Sequence, residues 1–219
     1  MLRRAVELGV NFSDTADSYG PNVLEELIAE ALHPYQAGLV VATKGGLLRT
    51  GPDQWPVDAS PKHLKKVLHG SLKRLKLDQI DLYQLHHIDP KVPFEETLIF
   101  LQKAQQEGSI KHIGLSEVSV EEIKKAQEYV PIVSVQNRYS VDNRKWEPEL
   151  EYTREQGTAF IPWFPLGGGN PESPRPAGQK IPSHSAANCP ELATAPFAQY
   201  SAHCRHLAGK ILGGKHENG

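Results

Sequence analysis

Apolar positions along this chain alternate between two spacings, and the alternation predicts a repeating strand–helix order. Val10-Asn11-Phe12-Ser13-Asp14 reads as a short strand after a helical Leu2 to Leu8. Val23 to Leu32 then places Leu24, Leu27, Ile28 and Ala31 at helical spacing, before the continuous run Leu39-Val40-Val41-Ala42-Thr43 predicts a second strand. Ser60-Pro61 opens the next helix, with serine as cap and proline in the first turn, and Leu64, Val67, Leu68, Leu72 and Leu75 line one face. Ile80 to Leu85 is a strand and Phe94 to Gln106 a helix that stops at Gly108. His112 to Leu115, Val120 to Tyr129, Ile132 to Val135, Trp146 to Gln156 and Ala159 to Phe164 continue the order as strand, helix, strand, helix and strand.

Strands that alternate with helices pair in parallel, and strands apolar on both faces are buried on both. A barrel of βα units, the (β/α)8 or TIM-barrel type, fits best, with about six of its eight units present. A doubly wound nucleotide-binding sheet would place a glycine-rich turn after its first strand, and none stands there. In such a barrel the reactive residues lie at the carboxyl ends of the strands, where Asp14, Lys44, His86, Ser116, Gln136 and Trp163 all fall.

Composition narrows the partner more than the fold. The 24 basic residues nearly balance the 26 acidic ones, with no run of like charge to attract nucleic acid or a membrane surface. The expected partner is a small molecule. No apolar stretch is long enough to span a bilayer, and Met1-Leu2-Arg3-Arg4 leads into an amphipathic helix, so a cytoplasmic location is expected. The only cysteines, Cys189 and Cys204, cannot form a disulfide framework, and no metal-ligand spacing is present.

Five segments carry the chemistry. They are Gly9-Val10-Asn11-Phe12-Ser13-Asp14-Thr15-Ala16, Ala42-Thr43-Lys44, Asp81-Leu82-Tyr83-Gln84-Leu85-His86, Gly114-Leu115-Ser116 and Val135-Gln136-Asn137. In this order and at βα spacing they resemble successive signatures of the aldo-keto reductases, over about residues 1 to 182. The resemblance implies a catalytic tetrad of Asp14, Tyr19, Lys44 and His86. Tyr19 would give its hydroxyl proton to an aldehyde or ketone oxygen as NADP(H), or NAD(H), supplies hydride. Lys44 would favour loss of that proton, Asp14 would fix Lys44, and His86 would donate to the carbonyl oxygen and orient it. If the strand continues, His87 points the other way. Taken singly, Asp14 reads as a turn cap, Lys44 as a solvated lysine and Tyr19 as a half-buried ring. Asp17 reads as a loop carboxylate.

The resemblance also implies cofactor contacts. Ser116 and Gln136 match positions that bind the nicotinamide carboxamide, a group needing both a donor and an acceptor. At residue 117 the family usually has asparagine. Here Glu117 can only accept when ionised, so one donor is lost. Trp163 matches the aromatic that stacks on the nicotinamide, and Leu166 with Gly167, Gly168 and Gly169 would wrap the pyrophosphate through backbone amides. Gly45 to Ala59 is expected to be a long loop, with Trp55 at the substrate pocket.

Two departures change the expectation for this chain. It starts within what resembles the first barrel helix, and Ser183 to Gly219 shows no family pattern, so residues 183–219 form an irregular tail. Leu192 to Asn218, back-translated with suitable synonymous codons and read one nucleotide later, begins W-L-L-H-R-S-P-N-I-L-P-I-A-G-T-S, which resembles the missing segment. A frameshift between about Ile181 and Leu192 is the expectation. The reader of the adenosine 2′-phosphate would lie in that segment, so NADP is not told from NAD, and carbonyl reduction by residues 1–219 is expected to be impaired. A nicotinamide-binding regulatory subunit resembling the β-subunits of potassium channels, or an inactive remnant, are the alternatives.

Overall fold

Among the described residues, six strands form one sheet in strictly sequential order, and every neighbouring pair is parallel. The computed structural model describes residues 1–140 and 143–165. Within them, α1 (Leu2–Glu7), β1 (Phe12–Asp14), α2 (Val23–Leu32), β2 (Val40–Gly45), α3 (Pro61–Leu75) and β3 (Ile80–Leu85) are followed by α4 (Phe94–Gln106), β4 (Ile110–Ser116), α5 (Val120–Gln127), β5 (Ile132–Gln136), α6 (Glu147–Glu155) and β6 (Ala159–Phe160). Sequential order sets this sheet apart from a doubly wound one, in which the strand order reverses at a switch point.

The sheet curls. Gln136 on β5 reaches Asp14 on β1 at 3.2 Å, whereas four strand spacings in a flat sheet would separate them by about 19 Å. Val40, Ala42 and Leu82 likewise pack with Ala159 and Ile161 across the concave side. The convex side carries the larger core, where Tyr83, Leu85, Ile113, Leu115 and Val135 meet Leu64, Leu68, Leu98, Leu101 and Ile123 of the helices. Described in this way, the chain is a partial (β/α)8 barrel. Among the described residues no helix is long and apolar enough to cross a membrane.

Helix starts follow local chemistry. The Ser60 side chain accepts from His63 N–H at the start of α3, with Pro61 in the first turn. Ser119 and Glu122 form a reciprocal capping box on α5. Two expectations change. In α2 the apolar set Leu24, Leu27, Ile28, Ala31 does not mark the buried face: Glu25, Ile28 and Ala29 are buried, while Leu24 and Leu27 are 42% and 46% exposed. The reason is that both Glu25 oxygens are used inside, by Thr43 Oγ1 at 2.6 Å and by Arg74 Nε and Nη2, each at 2.7 Å. The segment after β2 is more ordered than a plain loop, with antiparallel bridges Leu47 to Val57 and Gly51 to Gln54, and Gly45 belongs to the strand.

Candidate active site

Side-chain alternation along the strands decides which residues meet inside the cup. Lys44 pairs with Gln84 and Gln84 with Gly114, and paired residues of parallel strands face the same side. Gly114 is required there, because a Cβ would stand 2.2 Å from Ser134 Oγ and 3.0 Å from Gln84 Cγ. A bulge between Ile113 and Gly114 shifts the register of β4 against β5 and brings Ser116 level with Gln136.

The ends of these strands converge on Asp14. Lys44 is fully buried, and its Nζ donates to Asp14 Oδ2 at 2.6 Å and to the Thr15 carbonyl at 2.9 Å. Gln84 Nε2 donates to Asp14 Oδ1 at 2.9 Å, and Gln136 Nε2 to Asp14 Oδ2 at 3.2 Å. A carboxylate with three amide or ammonium donors is fixed in orientation, and Lys44 is held with it. Asp14 keeps 26% of its side chain in solvent, so this group lies at the mouth of the cup.

Tyr19 stands over this pair. Its ring centroid is 5.3 Å from Lys44 Nζ and 5.7 Å from the His86 ring, which meets it edge-on. The loop between β1 and α2 holds Tyr19 there by backbone bonds from Asp17 N–H to the Lys44 carbonyl and from Tyr19 N–H to the Ala16 carbonyl. His86 follows β3, and its N–H donates to the Gly45 carbonyl. Burial, the Lys44 charge and His87 push the His86 imidazole down to about 2, so it is neutral at every ordinary pH. A neutral imidazole keeps one N–H, which is what donation to a carbonyl oxygen needs. The four residues of the expected tetrad thus come together. His87 does not turn away from them: its ring stacks on His86 at 5.9 Å and 18°, because β3 ends at Leu85 and alternation stops there.

Trp163 extends the pairing of β5 and β6 through its bridge to Arg138. It is half-buried, and its Nε1 donates to Glu117 Oε1 at 2.6 Å. Ser116 is buried at the end of β4, level with Gln136. With Gln136 Nε2 engaged by Asp14, its Oε1 is left to accept, and the Ser116 hydroxyl can donate. Two further polar atoms in the cup, His86 Nδ1 and Gln84 Oε1, are buried without a hydrogen-bond partner. Donor, acceptor and an aromatic face at one level fit a nicotinamide and its carboxamide. Leu166 and Gly167, expected at the pyrophosphate, lie outside the described residues, as do Cys189, Cys204 and the tail. Trp55 is 41% exposed beneath the Arg49 guanidinium, 4.2 Å from its ring centroid.

Sequence reasoning missed two groups. Gln84 stands two residues before His86 in β3, and a polar residue in phase with a site residue is the signal that marks it. Asp17 does lie in the loop after β1, but it is buried on the convex side, where burial and then the Glu25 charge push its carboxyl up to about 7.

Comparison with known proteins gives the family of the chain. The model of the aldo/keto reductase family matches residues 1–209, and the chain belongs to that family of oxidoreductases. An uncharacterised oxidoreductase of Schizosaccharomyces pombe is 54% identical over 168 residues, which is 77% of this chain and 55% of that protein. Pyridoxine 4-dehydrogenase of Escherichia coli is 38% identical over 177 residues, 78% of this chain and 62% of that one. The chain therefore spans less than two thirds of the length of these relatives. Among solved structures, the holo form of an aldo-keto reductase from Bacillus halodurans superposes with a TM-score of 0.70 at 31% identity, covering 84% of this chain and 62% of that one.

Proposed function

We propose that the chain carries a nicotinamide-dependent site for reduction of small aldehydes or ketones, with Tyr19 as general acid. The observation that supports it most is the meeting of Tyr19, Lys44, Asp14 and His86 around one point at the strand ends. When bound, the reduced nicotinamide supplies hydride to the carbonyl carbon. Tyr19 gives its phenolic proton to the oxygen as charge develops there. Lys44, an ammonium fixed by Asp14 and the Thr15 carbonyl, favours the phenolate that remains. His86, neutral and buried, donates to the same oxygen and orients it. Ser116, Gln136 and Trp163 hold the nicotinamide end, and Leu166 and Gly167 are assigned to the pyrophosphate.

NADP is the cofactor assigned, and a pyridoxal-like, aromatic or aliphatic aldehyde the substrate; the name of the Escherichia coli relative favours testing pyridoxal first. Turnover is expected to be slow, since a tail read out of frame would leave the adenosine end without its reader. The test is consumption of NADPH by the 219-residue chain in the presence of pyridoxal and simple aldehydes, alongside NADPH quenching of tryptophan emission. Little aldehyde-dependent consumption, with quenching only at high NADPH, is the expected result. Quenching without turnover would instead support a regulatory subunit, and absence of both would contradict the site.

A further inference from the structure

Glu117 brings a negative charge to a place where the three groups assigned to the nicotinamide, Ser116, Gln136 and Trp163, are neutral. Its Oε1 accepts from the Trp163 indole at 2.6 Å and from the Arg138 backbone N–H at 2.7 Å. Both donors are neutral, and both use the same oxygen, so Oε2 remains for a further donor. The Arg138 guanidinium lies over the indole ring, 5.5 Å from its centroid, rather than on the carboxylate. Among the described residues no lysine, arginine or histidine nitrogen forms an ion pair with Glu117. The residue also holds left-handed backbone, with φ 55°, a conformation that asparagine adopts more readily than glutamate. Its own N–H donates to the Gln136 carbonyl at 3.0 Å, which ties its position to that of the neighbouring strand end.

An anion without a counter-ion, half-buried and fixed by two neutral donors, interacts best with a ligand that brings a positive charge. The nicotinamide ring is such a ligand in only one of its two states. It is a cation when oxidised and becomes neutral when it takes up hydride. We propose that Glu117 is a specificity-determining residue that makes this site favour the oxidised nicotinamide over the reduced one, and so makes the bound reduced nicotinamide a stronger hydride donor. This rests on the assignment of Ser116, Gln136 and Trp163 to the nicotinamide. A full charge within several ångströms of the ring, in a medium less polar than water, gives a preference of about tenfold or more. With the nicotinamide bound, Oε2 would be free to accept from the carboxamide amino group, in place of the donor that asparagine would offer to the carboxamide oxygen.

The test measures dissociation constants for NADP+ and NADPH separately, by equilibrium dialysis of the 219-residue chain up to millimolar nucleotide, with and without Glu117→Gln. Glutamine keeps an acceptor oxygen for Trp163 and Arg138 and removes only the charge. The ratio of the NADP+ constant to the NADPH constant is expected to rise about tenfold in the variant. Glu117→Asn, neutral and better suited to left-handed backbone, is expected to shift the ratio the same way, which separates loss of charge from loss of fold. A ratio that stays the same in both variants, including equal weakening of both forms, overturns the inference and leaves Glu117 a structural support for Trp163. Failure of the unaltered chain to bind either form would instead overturn the nicotinamide assignment itself, and the inference with it.

Discussion

Two polar clusters lie back to back on the second strand, and they treat charge in opposite ways. On the concave side, Lys44 meets one carboxylate, Asp14, whose oxygens accept from Lys44, Gln84 and Gln136 and which keeps contact with solvent. On the convex side, Thr43 meets Glu25, which is shared with Arg74, while Asp17 stands nearby with Oδ1 unpartnered. There, two carboxylates share one guanidinium in a sealed space. Burial and Glu25 outweigh the backbone N–H bonds and the Arg74 charge that would lower it, so the Asp17 carboxyl titrates near 7. The same two influences hold Tyr35 up at about 12, with burial first. Under the proposed function the difference has a use: balanced charge beside solvent suits proton transfer, whereas the sealed, over-acidic cluster lies away from the proposed chemistry.

The largest effect that sharpens this contrast is on stability against pH. Asp17 has a folded value near 7 against an ordinary 3.8, so its contribution is fully present below about 4 and is lost as pH rises toward 7. That loss amounts to about 4 kcal/mol. Asp17→Asn removes the titration, and urea midpoints measured from pH 4 to 8 are expected to fall less steeply than in the unaltered chain. Parallel curves would mean that Asp17 ionises freely. Next in size, Glu25→Gln breaks the buried pair with Arg74 and is expected to cost about 3 kcal/mol in urea unfolding. A loss below about 1 kcal/mol would class the pair with surface ion pairs. On the concave side, Gln84→Leu removes one donor from Asp14. Turnover is expected to drop about tenfold with nucleotide affinity unchanged, the value of one hydrogen bond to a charged group. Unchanged turnover would show that Lys44 and Gln136 fix Asp14 without Gln84.

The concave cluster was legible in sequence and the convex one was not. Asp14, Lys44, His86, Ser116 and Gln136 stand at strand ends, where an apolar run breaks into a polar residue, and a parallel βα order brings such breaks together. Periodicity also located helices such as Phe94–Gln106 to the residue, because their apolar faces are their buried faces. It failed for α2, where a buried glutamate reads as solvent-facing and two leucines read as core. Nothing in a one-dimensional pattern tells that Thr43 and Arg74, from two other elements, will supply the partners for Glu25. Asp17 was hidden in the same way. His87 was misplaced because alternation was carried one residue past the end of its strand, and Gln84 went unnamed although its phase with His86 pointed to it.

In the proposed mechanism Tyr19 supplies the proton at the meeting point of Lys44 and His86. Its most direct test is Tyr19→Phe, which removes the phenolic hydroxyl and keeps the ring against His86 and Lys44. In single-turnover measurements with saturating aldehyde and nucleotide, the rate is expected to fall by about 10² to 10⁴, while nucleotide affinity stays within about twofold. A variant that reduces aldehyde at the rate of the unaltered chain would remove Tyr19 from proton transfer and contradict the account.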